Sequence, residues 1–97
     1  MKLRLNKNSL RENIAQLMRR AGYRLNNHGR GELNFWRPLS GGAYPRFHAY
    51  IYEEAAEIVI NLHLDQKHPS YAGSHAHSGE YDGELVKEEL ARINSLI

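Results

Sequence analysis

Four of the six histidines, His63, His68, His75 and His77, fall within fifteen residues, flanked by Asp65, Glu80 and Asp82. Imidazole titrates near neutral pH and ligates metals through a ring nitrogen. Zinc or a similar borderline divalent ion needs three or four N/O ligands, and a catalytic site keeps one position for water. His63 with two of His68, His75 and His77, and Asp65 or Asp82 as carboxylate, meets that need. His75-Ala76-His77 suits a single ion, because alternate side chains of an extended segment leave from one side. Metal-bound water, with its pKa lowered towards neutral, could then attack a phosphodiester or an amide. The candidate metal ligands are therefore His63, Asp65, His68, His75 and His77.

The same residue types could work without a metal. Two histidines can serve as general base and general acid on RNA or another phosphate ligand, while Arg46 or Lys67 stabilises the developing charge. His48 and His63 are the candidates for that pair, with Arg46, Asn61, Lys67 and Tyr50 as ligand contacts. Residues 1–46 hold ten Lys/Arg against Glu12 and Glu32, a net of +8, and residues 47–97 hold three against nine acids, a net of −6. A basic N-terminal half offers non-specific attraction to nucleic acid, with Tyr50, Tyr52 and Trp36 available to stack on bases. Opposed halves equally suit a homodimer or partner-binding module without catalysis, in which the histidines are interface groups or a pH sensor.

Composition sets the outer bounds. Ninety-seven residues with 41% apolar and 25% charged content form one soluble domain, long enough to bury a modest core without disulfides or a structural metal. The chain has no cysteine, which excludes disulfides and thiolate metal sites and fits the cytoplasm. No stretch approaches the ~20 apolar residues of a membrane span, and the polar start MKLRLNKN is unlike a signal peptide.

The elements that must position these groups follow from periodicity. Ser9-Leu10-Arg11-Glu12 is a capping box, and Leu10, Ile14, Leu17, Met18 and Ala21 form one apolar stripe, so a helix is predicted over 10–21, closed by Gly22. Asn26-Asn27-His28-Gly29-Arg30-Gly31 reads as a turn and Glu32–Arg37 as a short strand. Arg46–Tyr52 and Glu57–Asp65 read as a hairpin, 68–82 as a loop, and Val86, Leu90, Ile93 and Ile97 as the stripe of a last helix capped by Asp82. Lys2-Leu3-Arg4-Leu5 alternates like an edge strand, but four residues are too few to assign. The expected fold is α+β in α-β-β-β-α order, a three-stranded antiparallel sheet with both helices on one face.

Pairing Tyr52 with Glu57 puts Phe47, Ala49, Ile51, Ile58, Ile60, Leu62 and Leu64 on the helix-covered face. Arg46, His48, Tyr50 and Tyr52 then share the open face with Glu57, Val59, Asn61, His63 and Asp65. In this register His48 opposes Asn61 and lies diagonal to His63, and the following loop could fold over them. Of Phe35 and Trp36 one must face inward, and periodicity cannot say which.

The α-β-β-β-α order resembles the double-stranded-RNA-binding fold and the small toxin ribonucleases built on it. The likeness is one of topology: those enzymes place Gly-Ser-His at a middle strand, where this chain has Arg46-Phe47-His48, and Gly73-Ser74-His75 falls in the later loop. Asp65-Gln66-Lys67, with Glu12 on the first helix, resembles the last motif of nucleases that carry Pro-Asp followed by Asp/Glu-x-Lys. Their Pro-Asp reads Pro45-Arg46 here, an arginine where a metal-binding acid belongs.

Overall fold

The computed structural model describes residues 1–29, 31–66, 79–80 and 83–97, the side chains of 27–29 and 79–80 excepted. In chain order the elements are β1 (Lys2–Asn6), a 3-10 turn (Lys7–Ser9), α1 (Ile14–Arg20), β2 (Arg24–Gly29), β3 (Glu32–Pro38), β4 (Arg46–Glu54), β5 (Glu57–Asp65), β6 (Gly79–Glu80) and α2 (Glu84–Ser95). The fold is α+β, but the sheet is larger than the expected three strands. Five antiparallel strands lie in the order β1-β5-β4-β3-β2, and the two-residue β6 adds to β5 at Leu64 and Asp65.

Both additional strands have a physical reason. β1 covers the edge of β5 that would otherwise present open backbone groups, pairing Leu3 with Ile60 and Leu5 with Ile58. β2 is built from the Asn-rich stretch that reads as a turn. Cross-strand pairing of Leu25 with Phe35 and Arg24 with Trp36 overrides the weak strand propensity of Asn26 and Asn27, at the cost of an irregularity between 25 and 27. β3 starts at Glu32, just after Gly31, which takes φ +71. With these strands added, the α-β-β-β-α order and its likeness to the double-stranded-RNA-binding fold no longer hold.

The first helix starts later than predicted. Asn13, not Ser9, is the N-cap, its Oδ1 accepting from the Gln16 backbone N–H at 2.9 Å. The Ser9 hydroxyl instead donates to the Asn6 carbonyl at 2.7 Å, within the preceding 3-10 turn. α2 is capped by Gly83, and Asp82, the expected cap, lies outside the described residues.

One face of the sheet carries the core. Leu5, Phe35, Phe47, Ala49, Ile51, Ile58, Ile60, Leu62 and Leu64 pack with Met18 and Ala21 at α1 and with Val86, Leu90 and Ile93 of α2. Full burial of such side chains contributes about 1.5–3 kcal/mol each, so this layer dominates stability. Phe35 is the inward member of its pair, 0% exposed, which turns Asn34 and Trp36 to the second face. No helix among the described residues is long and apolar enough to cross a membrane.

Candidate metal centre

The second sheet face is made by the outward residues of β3, β4 and β5, and strand register decides which of them meet. Residue 54 pairs with 57, so the loop is Ala55-Ala56 alone and the register lies two residues from the predicted one. A shift of two leaves every side chain on its face. It does move His48 from diagonal to directly opposite His63, and Arg46 opposite Asp65. Trp36 stands across from His48 on β3, and Asn34 across from Tyr50.

The result is a tight cluster. The His48 and His63 ring centroids are 4.8 Å apart, and Tyr50 stacks 4.3 Å from His48 and 5.6 Å from His63. His63 Nε2 lies 3.0 Å from Asp65 Oδ1, and His48 Nδ1 lies 3.8 Å from Asp65 Oδ2. On its other side the His48 ring places Nε2 3.0 Å from Asn34 Oδ1. An amide oxygen can only accept, so with Asn34 in this orientation the matching His48 tautomer carries its proton on Nε2 and turns the Nδ1 lone pair towards the carboxylate. One potential ligand atom each from His48, His63 and Asp65 lies within 4.8 Å of the others, a group able to hold a metal ion.

Arg46 completes the row. Its Nε donates to Asp65 Oδ2 at 3.2 Å, and its guanidinium carbon sits 3.4 Å from the Trp36 ring centroid and 4.4 Å from that of Tyr44. These groups are largely withdrawn from water: side-chain exposure is 11% for Arg46, 12% for His48, 10% for His63 and 21% for Asp65. The face expected to be open is therefore largely dry at this end.

Burial controls the protonation of both imidazoles. Desolvation, then the charge of His63, lowers the His48 pKa to about 4, with Arg46 adding to the fall and Asp65 opposing it. His63 is also lowered, first by burial, against the pull of Asp65. Both rings are neutral at pH 7, the state in which imidazole ligates a metal.

Of the residues predicted to form a site, the structure gathers His48, His63, Asp65 and Arg46, with Tyr50 against the rings and Asn61 paired to Tyr50 one row away. Lys67, His68, His75 and His77 lie outside the described residues. Sequence reasoning missed Asn34, named Trp36 only as a residue that could stack on bases, and missed Tyr44. The signal for the first two was present, because placing Phe35 inside puts both neighbours on the outer face. Trp36 also brings a buried indole N–H with no acceptor among the described residues. No family model, curated protein or solved structure matches this chain.

Proposed function

We propose that the chain binds a divalent metal ion such as zinc through His48, His63 and Asp65. One observation carries this reading: His48 Nδ1 and an Asp65 carboxylate oxygen face each other across 3.8 Å inside a mostly buried cluster. Two electron-rich atoms so placed are stabilised by a cation set between them. Asn34 supplies the outer hydrogen bond that metal-ligating histidines characteristically make, fixing tautomer and ring orientation. Three protein ligands leave coordination positions for water or a substrate, the pattern of a reactive centre rather than a closed structural one.

Ligand atoms around a tetrahedral zinc stand about 3.4 Å apart, given bonds of ~2.0–2.1 Å. The present 4.8 Å limit requires a ring to swing inwards by roughly 1.4 Å on loading. If His63 ligates through Nε2, its hydrogen bond to Asp65 yields in the process and the ring proton moves to Nδ1, so the ligating imidazole stays neutral.

Calorimetric titration with zinc, nickel and manganese tests the proposal. We expect a Kd below ~100 μM for at least one ion, weakened at least tenfold in His63→Asn and in Asp65→Asn. No binding tighter than ~100 μM overturns it. Replacing His68, His75 and His77 together by Asn shows whether the later segment donates a fourth ligand, by a further loss of affinity.

A further inference from the structure

Resting on that metal site, we infer that the bound ion takes an oxyanion, a carboxylate or a phosphoryl group, as its further ligand, with Arg46 as the second anchor. Charge is the first argument. Because imidazole ligates as the neutral ring, a divalent ion, one carboxylate and one guanidinium leave a net +2 among side chains that are only 10–21% exposed. Uncompensated charge in so dry a place is costly, and an anion on the ion removes that cost.

Geometry is the second argument. Arg46 uses only Nε on Asp65, at 3.2 Å, and neither Nη group has an acceptor among the described residues. The guanidinium is held against the Trp36 ring at 3.4 Å and the Tyr44 ring at 4.4 Å, so its fork is oriented before any ligand arrives. A planar, pre-oriented fork beside a metal matches two oxygens of one anion, one oxygen on the ion and one on Nη. Asp65, the most exposed of the four, marks the side from which such a ligand enters. The site therefore takes small acids or phosphorylated compounds in preference to neutral molecules.

The test uses the full chain loaded with cobalt(II), whose visible absorption reports on its ligands. Acetate and methylphosphonate are titrated separately, with chloride as control. We expect at least one of the two to shift the band saturably, and the tighter one identifies the oxyanion class. In Arg46→Met, which keeps the apolar stem on Trp36, that anion should bind at least about tenfold more weakly while cobalt binds equally or more tightly. Arg46→Lys keeps the charge without the fork and should fall between, which decides the matter if the methionine variant does not fold. An unchanged band in the wild-type protein, or equal anion affinity in wild type and variants, overturns the oxyanion inference and leaves the metal site standing. Failure of cobalt to bind overturns both.

Discussion

At the scale of single residues, the centre is governed by where one proton sits. Asn34 holds the His48 proton on Nε2, and replacing it by leucine frees the ring to turn or change tautomer. Asn34→Leu should weaken zinc binding by about tenfold or more with the fold intact by circular dichroism. The low pKa of His48 also contributes to the pH response of the metal-free chain. Its folded value of about 4 lies below the ordinary 6.5, so between them the unfolded chain binds the extra proton. The contribution of this group is full above pH 6.5 and falls as the pH drops towards 4. After solvent screening the loss from this group is on the order of 2 kcal/mol. Urea melts of wild type and His48→Gln at pH 7 and pH 4.5 should show the steeper decline in wild type. Asp65, His63 and Arg46 face this ring, and the first of them pulls against the others.

At the scale of elements, sequence reading succeeded where periodicity ran long. β4 and β5 alternate over nine residues each, and both faces were legible from that alternation. β1 showed only as the short alternation Lys2-Leu3-Arg4-Leu5 and β2 not at all, because five or six mostly polar residues gain most of their strand character from their partners. Two capping signatures competed at α1, Ser9 with Glu12 and Asn13 with Gln16, and the 3-10 turn engaged Ser9 first. The two-residue shift in the hairpin was unreadable because both registers divide the faces equally well; the tight turn settles it. That turn holds Ala55 at φ +57, a conformation awkward for a side chain. Ala55→Gly should stabilise by up to about 1 kcal/mol, and Ala55→Val should destabilise by a similar amount, read from thermal midpoints. A second junction ties α2 to the end of the sheet. Buried Glu89 accepts from the Tyr23 hydroxyl at 2.6 Å and from Arg92 Nε at 2.8 Å, while Arg92 Nη2 reaches the Ala21 carbonyl at 2.6 Å. Burial, then the Glu89 carboxylate, pushes the Tyr23 phenol far above its usual pKa. Glu89→Ala strands both partners and should cost about 3 kcal/mol in denaturant melts, with Glu89→Gln costing less.

At the scale of the whole molecule, the opposition between a basic first half and an acidic second half is met inside the fold. Arg4 pairs with Glu54 and Glu57, Lys7 with Glu53, Arg46 with Asp65, and Arg37 approaches Glu89 at 3.9 Å. The outer pairs are exposed and add little individually, but they bring β1 and the β4–β5 turn together with matching sign. The same pairing has a consequence in time. The backbone partner of Leu5 is Ile58, and Lys7 donates its N–H to the Ala56 carbonyl, so β1 closes a loop of about fifty residues. The β4–β5 hairpin closes across two residues and gathers first, whereas long-range pairs of this kind form late. Leu5→Ala should therefore speed unfolding while leaving the refolding rate nearly unchanged, a φ-value near zero in stopped-flow chevrons. During synthesis β1 therefore waits unpaired until β5, some fifty residues behind it, has emerged, and it is among the last strands of this sheet to find its place.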